Sequence, residues 1–126
     1  MADDGTRIIR QEDGHIFGIS EFGTPTGKPL FYFHGFPGSR LEARIIHQLA
    51  WRHQIRVIAV DRPGYGKSSY QPQRRLSHWS RDIGDIAAAL ELDRFSILGV
   101  SGGAPYAAAC ARFMPCLLYT SDAADE

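Results

Sequence analysis

Short apolar runs alternate along this chain with segments whose apolar residues recur every three or four positions, a pattern that predicts strands separated by helices. Thr6 to Gln11 and His15 to Glu21 flank Glu12-Asp13-Gly14, and Asp-Gly between apolar runs predicts a β-hairpin. After a loop over 23–28, Pro29-Leu30-Phe31-Tyr32-Phe33 reads as a buried strand, and Ile55-Arg56-Val57-Ile58-Ala59-Val60 as a β-branched one. Between them Ser39, with Glu42 three residues later, forms a capping box, and Leu41, Ile45, Ile46 and Leu49 make one stripe of a helix ending near His53. The polar loop Ser69 to Arg75 precedes a second amphipathic helix over Ser77 to Leu92, with Trp79, Ile83, Ile86 and Leu90 at helical spacing. A further buried strand starts at Phe95, and Ala104, Ala107, Ala108, Ala109 and Ala111 mark a small-sided helix. Pro105 falls in its first turn, where a missing N–H costs nothing. The order β-β-β-α-β-α-β-α predicts an α/β domain with a mostly parallel sheet and an antiparallel N-terminal edge.

Three of these strands run directly into turns that carry chemistry. The last meets Gly99-Val100-Ser101-Gly102-Gly103, a serine inside G-x-S-x-G at a strand-to-helix junction. Gly99 and Gly103 remove Cβ atoms where strand and helix cross closely, so the backbone turns sharply at Ser101 and projects its hydroxyl outward. The helix that follows aims its free N–H groups and positive dipole end at whatever Ser101 attacks. Ser101 is therefore a candidate nucleophile. The third strand runs into His34-Gly35-Phe36-Pro37-Gly38-Ser39, and the fourth into Asp61-Arg62-Pro63-Gly64-Tyr65-Gly66-Lys67-Ser68.

With HGFPGS, DRPGYGKS and GVSGG in this order and these contexts, the chain resembles the α/β-hydrolase superfamily from about Arg7 to Pro115. The resemblance implies the N-terminal half of an α/β-hydrolase fold, with helices on both faces of the sheet. It also implies that Ser101 is the nucleophile of the elbow and that His34-Gly35-Phe36 is the oxyanion loop. The oxyanion donors would be the backbone N–H groups of Gly102 and Phe36, with His34 shaping the loop rather than acting as base. A serine at the elbow points away from the branches that use aspartate there, dehalogenases and epoxide hydrolases, although HGFP and DRPG motifs occur in them as well. The family order places an acid and then a histidine after the serine. Residues 102–115 contain neither, and His15, His47, His53 and His78 all precede Ser101. What the resemblance implies is thus a serine hydrolase acting on an ester or related acyl bond of a small molecule, its acid and base lying beyond Pro115. The present chain is expected to be inactive.

Residues 116–126, CLLYTSDAADE, resemble the in-frame translation of a transposase-type sequencing adapter. The expected organisation is a partial hydrolase domain over 1–115 and a non-native tail over 116–126. Zero net charge and ordinary apolar content argue against a nucleic-acid partner, and the Arg74-Arg75 pair and the scattered arginines read as solvated surface. No run approaches membrane-spanning length, and the polar start Met1 to Gly5 lacks the features of a secretory signal, so neither membrane nor export is expected. The two cysteines, Cys110 and Cys116, give no disulfide framework and no metal spacing, which makes a reducing, cytoplasmic setting the default; the hydrolase resemblance implies no cofactor and no metal. Gly66-Lys67-Ser68 ends like a phosphate-binding loop, but Asp61 stands where the first glycine of that loop belongs. Phe36 and Tyr106 suit an apolar lining near the serine or equally the core. The alternative from a different class is a naturally short, non-catalytic module of the same fold, which requires the tail to be genuine.

Overall fold

Period-two alternation along the strands sorts their side chains onto two faces, and each face needs its own cover. The computed structural model describes residues 6–11, 14–35, 38–63, 65, 66, 68 and 76–113. Its strands are β1 (Arg7–Arg10), β2 (Ile16–Gly23), β3 (Lys28–Phe33), β4 (Ile55–Val60) and β5 (Ser96–Gly99). A 3-10 helix over Arg40–Ile46 continues into α1 (His47–Arg52) between β3 and β4. Helix α2 (Leu76–Ala89) joins β4 to β5, and a 3-10 turn over Ser101–Gly103 leads into α3 (Ala104–Phe113). The expected order of elements is therefore present. The tail over 116–126, Arg74-Arg75 and Lys67 lie outside the described residues.

The sheet is mixed, in the order β1-β2-β4-β3-β5. Antiparallel pairing joins β1 to β2 and β2 to β4, while β3 pairs in parallel with both β4 and β5. The chain crosses the sheet one way from β3 to β4 and the other way from β4 to β5, so these two crossovers lie on opposite faces. On one face Phe17, Ile19, Phe31, Phe33, Ile58, Val60 and Ile97 pack against Trp79, Ile83 and Ile86 of α2 and Ala107 and Cys110 of α3. On the other, Phe22, Tyr32, Val57 and Ala59 meet Ala43 and Ala50. Register then decides where the three motifs go. Phe33 stands opposite Val60 on one side and Gly99 on the other, so His34, Asp61 and the segment after Gly99 emerge together from the carboxyl ends of the parallel strands. In open α/β sheets that end, at the point where the strand order reverses, is where ligands bind.

The first helix departs from expectation. Its first half is 3-10, and the residues it buries are Arg40, Ala43 and Ala50, whereas Ile45 and Leu49 of the predicted stripe are 81% and 56% exposed. Three residues per turn align positions i, i+3 and i+6, and the pull of Asp61 on Arg40 fixes which row faces inward. The capping box is also only half made. Ser39 caps the helix by accepting from Leu41 N at 3.3 Å, but the Glu42 carboxylate accepts from the Tyr32 hydroxyl at 2.8 Å instead of returning to Ser39.

Candidate active site

At the junction of β5 and α3, Ser101 holds a left-handed backbone, φ +51°, and its side chain is exposed. A non-glycine residue in that region is strained by about 1–3 kcal/mol and persists only where its surroundings over-determine it. They do so here by close approach. Val100 N donates to Phe33 O at 3.1 Å and Gly103 N to Val100 O at 2.8 Å, pinning both sides of the serine. A Cβ on Gly99 would lie 2.6 Å from Gly103 O and 2.9 Å from the Ala107 Cβ, and one on Gly103 would lie 2.9 Å from His34 O. Side chains at these two glycines would push the strand and helix apart. The elbow also abuts the turn after β3, since a Cβ on Gly35 would lie 3.2 Å from the Ser101 Cβ. The structure therefore brings Ser101, Gly102 and the His34-Gly35 segment together; Phe36 and Pro37 lie outside the described residues.

His34 is fully buried, and both of its ring nitrogens are engaged. Nε2 accepts from the Arg62 backbone N–H at 3.0 Å, which leaves Nδ1 as the protonated nitrogen, donating to Gly35 O at 2.8 Å. Burial pushes its pKa below the ordinary imidazole range, with the Arg62 charge acting in the same direction against the Gly35 carbonyl, Asp61 and Glu42. No lone pair remains on this ring to take a proton from Ser101. His47 is occupied elsewhere, its Nδ1 accepting from Gly23 N at 2.8 Å.

Two arginines expected on the solvated surface are instead interior, Arg40 at 4% and Arg62 at 5% exposure. Asp61, fully buried at the end of β4, explains the first. Its carboxylate accepts from Arg40 N at 2.6 Å and from Arg40 Nη1 at 2.8 Å, while Arg40 Nε donates to Ser20 Oγ at 2.9 Å and Nη2 to Thr6 Oγ1 at 3.1 Å. Each of the three guanidinium nitrogens donates to an acceptor, which is what makes a buried ion pair tolerable. Arg62 differs. Its Nη1 donates to Gly102 O at 3.1 Å and its Cζ lies 4.7 Å and 4.9 Å from the ring centroids of Tyr65 and Tyr106, yet Nε and Nη2 are buried without a hydrogen-bond partner among the described residues. Each such orphan costs about 1–3 kcal/mol. Tyr106, one of the two candidate lining residues, thus stands over Arg62 and against Trp79, its ring 5.3 Å from the indole.

The Ser68 hydroxyl donates to Asp61 O at 2.6 Å and accepts from Gly18 N at 3.1 Å, so the group that a phosphate-binding loop turns toward a metal is consumed inside the 61–68 turn.

The alpha/beta hydrolase fold family matches residues 28–115. The chain belongs to that family. Proline iminopeptidase from Xylella fastidiosa is 29% identical over 113 residues, covering 86% of this chain and 35% of that protein. Epoxide hydrolase B from Mycobacterium tuberculosis is 30% identical over 113 residues, covering 80% of this chain and 30% of its own length. Among solved structures, a hydrolase from Pseudomonas aeruginosa superposes with a TM-score of 0.82 at 21% identity, covering 93% of this chain and 44% of that one. The chain spans about a third of the length of these curated relatives. The α/β-hydrolase fold accounts for the meeting of the three motifs, but sequence reading missed Arg40 and Arg62. The available signal was position, because Arg62 is part of the DRPGYGKS motif and Arg40 directly follows HGFPGS.

Proposed function

We propose that this chain is the N-terminal part of a serine hydrolase that cleaves an ester or related acyl bond, with Ser101 as nucleophile. The observation that carries the reading is the left-handed, exposed Ser101 at the carboxyl ends of the parallel strands, where an attacking oxygen is free to meet a carbonyl carbon. Attack converts that carbonyl to a tetrahedral oxyanion. The backbone N–H groups of Gly102 and Phe36 are the proposed donors to it, and the N-terminus of α3 adds a favourable field. The serine must lose its proton as it attacks, and with His34 locked the base and its orienting acid are assigned to the protein beyond Pro115, where residues 102–115 offer no histidine or carboxylate. Residues 1–115 are then a partial domain, 116–126 an adapter-derived tail, and the chain alone is inactive. By analogy with serine proteases, losing the base costs on the order of a millionfold.

The similarity to a proline iminopeptidase and to an epoxide hydrolase leaves the bond type open, and Ser101 favours acyl chemistry over the branch that attacks with aspartate. The test is hydrolysis of a chromogenic acyl ester by the full-length protein against its Ser101→Ala variant. Activity reduced to background by the substitution supports the reading, and activity that survives it overturns the reading. Sequencing the source DNA past the codon for Pro115 separates this from the short-module alternative. An open frame carrying a later Asp and His supports the enzyme, and a genuine stop after Glu126 supports the module.

A further inference from the structure

Arg62 contacts both the start of the turn after β3 and the elbow. Its backbone N–H donates to His34 Nε2 at 3.0 Å, holding the start of the loop after β3, and its side chain donates to Gly102 O at 3.1 Å, holding the elbow. The guanidinium is flanked by Tyr65, from the turn after β4, at 4.7 Å, and by Tyr106, from α3, at 4.9 Å, and Tyr65 in turn stands edge-on to the His34 ring, with centroids 5.0 Å apart. A cation buried at this depth, with two nitrogens lacking hydrogen-bond partners among the described residues, is not explained by stability, because an apolar residue of similar volume would avoid the desolvation. Planar, fixed geometry is what an arginine adds that such a residue does not.

We infer that Arg62 is a positioning residue, clamped between Tyr65 and Tyr106, that sets the placement of the Gly102 backbone, a proposed oxyanion donor, relative to the His34-Gly35 turn. The Gly102 carbonyl is drawn toward the guanidinium, which restricts rotation of the glycine whose own N–H is the proposed donor. Glycine has no side chain to impose that restriction, and the next residue, Gly103, has none either. Substrate binding does not depend on the placement of the Gly102 N–H, whereas stabilisation of the tetrahedral oxyanion does. The inference rests on the serine-nucleophile reading.

The test is steady-state acyl-ester hydrolysis and the fluorophosphonate labelling rate of the full-length protein, both expressed per folded molecule, with Arg62→Met and Arg62→Lys. The expected result is a kcat and labelling rate about tenfold to a hundredfold lower in Arg62→Met, with KM held, and partial recovery in Arg62→Lys, which keeps the charge between the rings. Should Arg62→Met not fold, Tyr65→Leu carries the same test, since it strips one ring and leaves the Gly102 bond, and kcat must again fall with KM held. Rates per folded molecule unchanged from the parent, or a KM that rises in step as kcat falls, would overturn the positioning role. Labelling absent from the unaltered protein would instead overturn the serine reading and this inference with it.

Discussion

The left-handed backbone at Ser101 lowers stability wherever a Cβ must be accommodated there, so stability and the proposed nucleophilic role are opposed at this residue. Ser101→Gly in the full-length protein is expected to abolish hydrolysis and to raise the free energy of unfolding by about 1 kcal/mol, whereas Ser101→Ala abolishes hydrolysis without the gain. Urea unfolding of the two variants checks this. His34 makes a second prediction, in pH. Its neutral form is the one the fold accepts, since Nε2 must receive the Arg62 N–H, and its folded pKa lies below the ordinary value of 6.5. Below pH 6.5 the unfolded chain takes up a proton that the folded one refuses. The contribution of His34 is therefore complete above that pH and is lost as pH falls through the depressed folded value. Thermal unfolding followed from pH 7.5 downward should show this acid loss in the parent and less of it in His34→Gln. Sequence showed Ser101 clearly because glycines on both sides signal the turn, but it hid the arginines. Nothing in composition distinguishes a solvated guanidinium from one whose carboxylate partner is brought to it across 21 residues, as Asp61 is to Arg40.

At the level of elements, the strands were legible and the first helix was not. Strands β3 and β4 bury both faces, so their continuous apolar runs mark them without ambiguity. The apolar spacing after Ser39 predicts a helix of 3.6 residues per turn, whereas its 3-10 half follows a period of three and turns Arg40 and Ala43 inward. Local apolar spacing could not reveal this, because the deciding interaction is the Arg40–Asp61 pair, made across the sheet end. That pair also anchors the far end of the loop that begins at His34. Arg40→Leu should cost about 3–5 kcal/mol, since it removes the Arg40 cation from a buried ion pair, and chemical denaturation measures it. The same substitution should slow acyl-ester hydrolysis per folded molecule, because the loop bearing a proposed oxyanion donor loses its tether to β4.

Over the whole molecule, sequence revealed the family and the order of its motifs, while the completion of the site was out of reach because the chain spans about a third of its curated relatives. Strand β5 forms one edge of the described sheet, with Ile97 and Leu98 in it, and Ile45, Leu49 and Trp51 are exposed on the α1 side. An apolar edge strand and an apolar surface of this kind favour association. The 126-residue chain produced alone is accordingly expected to aggregate on sizing chromatography, and a monomer that unfolds cooperatively on heating would contradict this. The central claim concerns one oxygen atom, and covalent labelling addresses it directly. Treating the full-length protein with a fluorophosphonate and locating the adduct by peptide mass spectrometry should place it on Ser101 and show none in Ser101→Ala; an unlabelled protein, or an adduct on another residue that persists in that variant, would contradict the account.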